Sequence, residues 1–118
     1  MKIFVSVPMS GREDLEVMEE IDQMKTLFRE RFPELDDVRF VNNLNCWIDP
    51  RHISVEPTHV PIRYLACAIE KMSYCDGVIF AEEYSKARGC VVEEKVAVEY
   101  GLDRYYIVDG SVYKVGGK

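Results

Sequence analysis

The sequence predicts a three-layer α/β domain, with a mainly parallel sheet of four to five strands covered by helices on both faces. Three observations carry this. Strand-like and helix-like segments alternate along most of the chain. The Gly77–Ala81 run (GVIFA) is apolar throughout, as a strand covered on both faces must be. The segments between the strands are long enough to cross back over a sheet as helices.

Taken in order, Lys2–Val7 (KIFVSV) is short, β-branched and aromatic, and ends in a Pro-Met-Ser-Gly turn, so it reads as a buried strand. Ser10 followed by Glu13 has the form of a capping box, and predicts a helix starting there. The apolar positions Val17, Met18, Ile21, Met24, Phe28 and Phe32 form its stripe, and Pro33 stops it. Val38–Val41 is the second strand candidate. Residues 42–60 form a long irregular stretch holding Trp47, Pro50, Pro57, His52 and His59; a loop of that length in a small domain is usually functional, often a lid. Pro61 suits the first turn of a second helix, striped by Ile62, Leu65, Ala66, Ile69 and Met72. After Gly77–Ala81 comes a polar loop, Glu82 to Gly89, and a third helix from about Cys90 to Tyr100, closed by Gly101. Tyr105–Val108 is the fourth strand, Val112–Val115 a possible edge strand, and Val115 to Lys118 a loose tail.

At 118 residues a single domain, 1–118, is expected, large enough for a core without staples. A net charge of −6 opposes binding to nucleic-acid polymers, which rewards an excess of Lys and Arg. Cys46, Cys67, Cys75 and Cys90 form no CxxC pair and have no histidine at zinc-ligand spacing. They read as reduced thiols of a cytoplasmic protein, with no metal and no cofactor expected. The first residues lack the plan of a signal peptide, and no apolar run reaches the ~20 residues of a membrane span.

In sheets of this kind ligands bind beyond the carboxyl ends of the strands. Two loops matter there: Pro8–Asp14 and Glu82–Glu94. Neither carries GxGxxG or GxxxxGKS/T, so the usual dinucleotide and P-loop motifs are absent. Advancing about 100° per residue along the third helix puts Val92, Val96, Ala97 and Tyr100 on one arc, with Glu93 in its middle. Glu94, Lys95 and Glu99 fall opposite, toward solvent. A carboxylate aimed at a core is costly unless paired, hydrogen-bonded or protonated. Glu93 therefore reads either as a partner of Arg88 or Lys86 in the helix's first turn, or as a nucleophile or acid–base group at a site. Around the first loop, Ser6, Ser10, Gly11 and Arg12 surround a helix start that favours anions, although Ser10 also suits plain capping and Arg12 a solvated surface charge. Asp76 suits a helix-to-strand turn. Cys90, at a helix start, is a candidate for a lowered thiol pKa, without a general base near it in sequence. His52 and His59 read as surface residues. Trp47 suits either a core cover or a stacking platform.

The opening MKIFVSVPMSGRED resembles the strand and S-x-P-M-x-G start of the nucleoside 2-deoxyribosyltransferase-like family. Its GRED also resembles the phosphate-binding loop of the related 2'-deoxynucleoside 5'-monophosphate N-glycosidases. Later, CDGVIFAEEYSKARGCVVEEKVAVEYG resembles that family's second signature: an Asp-led strand, a loop, then Gly-x-x-x-Glu opening a helix. The ARGC-x-x-E form is closest to a subgroup of short phage and bacterial proteins.

The resemblance implies a flavodoxin-like fold, a small-molecule nucleoside or nucleotide ligand, and a homo-oligomer. It implies cleavage of an N-glycosidic bond, or 2-deoxyribosyl transfer, with Glu93 as the catalytic nucleophile. The substrate-binding positions it implies are Ser6, Pro8, Met9, Gly11, Arg12, Asp76, Lys86, Arg88 and Gly89. Arg12 and the Gly11 backbone would hold a 5'-phosphate or 5'-hydroxyl, and the 46–60 loop or a neighbouring subunit would close over the base. Lys86 and Arg88 favour an anionic ligand. Two carboxylates of the transferase pattern are missing, because Ala68 and Ala87 occupy their positions; Tyr64, Glu70 and Glu83 are candidates to compensate. That loss favours a second expectation, a protein that sequesters a nucleotide without turning it over. A third is a scaffold with a vestigial pocket.

Overall fold

The structure, a computed structural model, describes residues 1–44 and 59–116. The chain runs β1 (Lys2–Ser6), α1 (Asp14–Arg31), β2 (Arg39–Val41), α2 (Val60–Met72) and β3 (Gly77–Phe80). A short 3-10 turn (Tyr84–Lys86) then leads to α3 (Arg88–Glu99), β4 (Asp103–Val108) and β5 (Ser111–Val115). The five strands form one sheet in the order β2-β1-β3-β4-β5. β1 to β4 are mutually parallel, and β5 returns antiparallel to β4. This is a flavodoxin-like three-layer α/β fold.

Strand alternation divides the core. Ile3, Val5, Ile79 and Tyr105 face α1 and meet its buried stripe of Val17, Ile21, Met24 and Phe28. The Phe28 ring lies edge-on to Tyr105 at 4.9 Å and to Phe40 at 5.5 Å, the favoured arrangement for aromatic pairs. On the other face Phe4, Val78 and Phe80 meet Ala68 and Met72 of α2 and Ala97 of α3. At Gly77 the strands approach closely: a Cβ would stand 2.9 Å from the Asp103 carbonyl oxygen. β4 and β5 are joined by Asp109-Gly110, both at positive φ (49° and 76°), the backbone that a two-residue hairpin of native twist requires.

Several sequence expectations are corrected. The Ser10/Glu13 capping box does not form. Gly11, at φ 74°, and the Arg12 N–H bonded to the Met9 carbonyl make a separate turn, and α1 starts only at Asp14, with Glu13 as an N-cap that makes no side-chain cap bond. Met18 is half exposed. On α2 the buried positions are Ala68 and Met72, while Ile62 and Ala66 face outward. The helix is apolar on nearly every side, so its sequence fixes no phase. α3 starts at Arg88, two residues early, which moves Glu93 from the first turn to the second. Its buried positions are Cys90, Glu93 and Ala97, so the inward arc is rotated toward Cys90; Val92 and Tyr100 are exposed. The edge strand expected at Val112–Val115 is present as β5, so the tail begins after Val115. No described helix is long and apolar enough to cross a membrane. Cys46, Trp47, Pro50, His52, Pro57 and the lid expected around them lie outside the described residues.

Candidate active site

Reversal of chain direction across the sheet locates the rim where a ligand would sit. From β1 the chain moves outward to β2, then returns to place β3 on the other side of β1. Loops leaving β1 and β3 therefore diverge to opposite faces at their carboxyl ends, the position at which ligands bind in sheets of this kind. Ser6 ends β1, and its even register puts it on the same face as Phe4, under α3. Glu93 comes down from α3 onto that point. The Ser6 hydroxyl donates to Glu93 Oε1 at 2.6 Å, a length typical of a hydroxyl bonded to a carboxylate. Both residues are buried: Ser6 is 1% exposed and Glu93 8%.

Burial pushes the Glu93 carboxyl up to about 7, with the Ser6 hydrogen bond pulling it partly back. The group is thus divided between acid and carboxylate near neutral pH. Glu93 Oε2 lies on the side of Gly89, where a Cβ would stand 4.0 Å from it and meet nothing closer. Cys90 shares this niche. Burial, opposed by the Ser6 hydroxyl and reinforced by the charges of Glu93 and Glu20, raises its thiol to about 11. The expectation of a lowered Cys90 pKa is therefore reversed: at neutral pH this is an inert, protonated thiol.

The remaining sequence candidates divide by position. Pro8, Met9 and Gly11 line the loop that leaves β1. Arg12 Nη1 binds the Pro8 carbonyl at 2.8 Å and the Glu20 carboxylate at 2.7 Å, so its charge is already matched. Arg88 and Gly89 form the first turn of α3, with Arg88 exposed. Lys86 is exposed and paired with Glu83 at 2.6 Å. Asp76 stands at the opposite, amino end of the sheet. Its Oδ2 accepts from the Lys2 N–H at 2.7 Å, its N–H donates to the Lys2 carbonyl, and its carbonyl accepts from the Asp103 N–H. That is the structural turn role, far from Glu93 along the strands. Ala68 is fully buried in the core. Cys67, Cys75 and Cys90 are free thiols. Among the described residues, no group of His, Cys, Asp and Glu could hold a metal ion.

Two features were not foreseen. Glu94 does not face solvent: its Oε2 accepts from Tyr84 at 2.9 Å and from Tyr106 at 2.8 Å. Burial, followed by this carboxylate, raises both phenols, Tyr106 to about 12. The clamp ties the 3-10 turn, β4 and α3 together next to Glu93. The second feature is Asn43, just beyond β2, which is 8% exposed and has a carbonyl oxygen without a partner. Two surface hollows, of about 240 Å³ beside Met18 and Asn42 and about 350 Å³ beside Arg31 and Tyr113, are not lined by Glu93.

Nothing matches this chain among family models, curated proteins or solved structures.

Proposed function

We propose that this protein cleaves the N-glycosidic bond of a nucleoside or nucleotide, or transfers its 2-deoxyribosyl group, with Glu93 as nucleophile. The observation that carries the reading is the buried Ser6–Glu93 pair, held at 2.6 Å at the carboxyl end of β1. A carboxylate so placed is oriented through one oxygen, and the other, on the Gly89 side, would make the attack. The resemblance of the Gly89-x-x-x-Glu93 segment to the family's signature supports the same assignment.

In this mechanism Glu93 Oε2 attacks C1' of the sugar. The C1'–N bond breaks, and the base leaves with the bonding pair and takes a proton from solvent. The resulting glycosyl ester is attacked at C1' by water or by a second base, which restores the carboxylate with net retention. Ser6 fixes the plane of the carboxyl group and stabilises its ionised form. Only that form attacks, so kcat/KM should rise with pH through about 7. The test is incubation with 2'-deoxynucleosides and their 5'-monophosphates, followed by chromatography for free base. Release that Glu93→Ala abolishes supports the mechanism; release unchanged in Glu93→Ala refutes it.

A sequestering protein is the second reading. Alanine at positions 68 and 87, and the near closure of Glu93 in the ligand-free chain, favour it. Tight binding with intact nucleotide recovered afterward would support it. A homo-oligomer belongs to both readings: Ile62 and Tyr64 on α2, and Val91 and Val98 on α3, are exposed apolar side chains that a second copy would cover. Light scattering tests this, and a monomer at high concentration would oppose it.

A further inference from the structure

We infer that Asn43 is a specificity residue of this site, and that its side-chain carbonyl accepts a hydrogen bond from a sugar hydroxyl of the ligand. The inference rests on the nucleotide reading above but not on turnover.

Asn43 is placed for this by the sheet. Phe4 pairs with Val41 in the parallel register of β1 and β2. Asn43 follows two residues beyond that last pair, where the Leu44 N–H bonds to Asn42 Oδ1 in a turn, and strand alternation puts it on the same face as Val41 and Phe4, at the carboxyl end of β2 beside the end of β1. The Asn43 Nδ2 donates to the Tyr64 carbonyl at 3.0 Å, which turns the side chain onto the α2 face, the face that also carries Ser6 and Glu93. The same bond fixes which way the amide points. A carbonyl oxygen could not donate to Tyr64, so Oδ1 must face away from α2's backbone.

That oxygen is buried and has no hydrogen-bond partner. Buried polar atoms in folded proteins are nearly always satisfied, and an orphan acceptor is a standing cost to stability. A leucine at position 43 would avoid the orphan at similar volume. With C1' at Glu93, a sugar hydroxyl is the donor a ligand at this rim would offer, whereas an ionised 5'-phosphate offers only acceptors to an acceptor. Oδ1 is out of contact with water in the ligand-free chain, so ligand binding must expose it.

Calorimetry with the intact chain tests this. The probes are the four 2'-deoxynucleoside 5'-monophosphates and their 2',3'-dideoxy counterparts, with urea unfolding run alongside. In the wild type, loss of the sugar hydroxyl should weaken binding roughly ten- to hundred-fold. Asn43→Leu should unfold at an unchanged or higher urea concentration, weaken binding of the deoxynucleotide by the same factor, and leave the dideoxy compound unaffected. Equal loss for both compounds in the variant would mark a merely structural residue and overturn the inference. Should Asn43→Leu fail to fold, the wild-type comparison decides alone: equal affinity for the two sugars overturns it. Binding without base release would defeat the catalytic reading and leave Asn43's role intact. Absence of binding by any probe would defeat both.

Discussion

Replacing Glu93 by glutamine isolates the cost of keeping an ionisable group inside the α3 face of the sheet. Glutamine keeps the shape and can accept the Ser6 hydrogen bond, but it never ionises. In the wild type the folded carboxyl holds its proton up to about pH 7, against an ordinary value of 4.5. Between those values the unfolded chain loses the proton first, so ionisation pulls the equilibrium toward unfolding as pH rises. Below 4.5 both states are protonated and above 7 both are ionised, so the penalty grows only within that window and stays at its full value above it. At about 1.4 kcal/mol per pH unit, the full penalty is about 3 kcal/mol, with little solvent screening because the group is only 8% exposed. Urea titrations of wild type and Glu93→Gln should therefore differ by about 1 kcal/mol at pH 5, about 2 at pH 6 and about 3 at pH 8, always in favour of glutamine. Subtracting the two proteins cancels every other titrating group. A difference that stays flat from pH 5 to pH 8 would show that the carboxyl is neither desolvated nor raised, and the case for a tuned nucleophile would go with it.

Four further outcomes follow from the same geometry. Ser6→Ala removes the hydrogen bond that lowers the Glu93 value while leaving the burial that raises it, so the midpoint of the pH–rate profile should move above 7 and activity at pH 7 should fall. In the wild type, kcat/KM should climb through about pH 7 rather than decline, and a falling profile would assign Glu93 as a general acid instead. Gly77→Ala should lower stability by about 1–3 kcal/mol in urea unfolding, since its methyl group would press on the Asp103 carbonyl at 2.9 Å. Tyr106→Phe should cost about 1 kcal/mol by removing one of the two hydroxyls on Glu94, and the double variant with Tyr84→Phe should be non-additive because both bond the same oxygen.

The sheet was legible in the sequence because its inner strands are covered on both faces and so read as short apolar runs. β4 begins two residues before its apolar part, as the polar pair Asp103 and Arg104 hides the start. Helix phase was legible only where polar residues mark an outer face. α1 meets that condition and α2 does not. On α3 the inward arc was misplaced by a fraction of a turn: Glu93 falls inside either arc, whereas Glu94 moves from the solvent face to the edge of the core and meets two tyrosines from distant segments. The Ser6–Glu93 contact joins residues 87 apart in sequence, and periodicity can aim each side chain without pairing them. Asn43 gave no signal at all. A lone asparagine after a strand reads as a turn residue, and only the packed structure reveals its unpaired oxygen.

The three backbone and side-chain bonds around Asp76 lash β1, β3 and β4 together at the end remote from Glu93. With that edge pinned, the opposite margin can splay to admit a guest without sliding one strand along another, since the interlocked amino termini preserve alignment. Deuterium uptake should reflect the asymmetry: slow at the amides of Lys2, Asp76 and Asp103, and faster at those of residues 8–12. Asp76→Ala would cut one lashing, and the exchange contrast between the two margins would shrink.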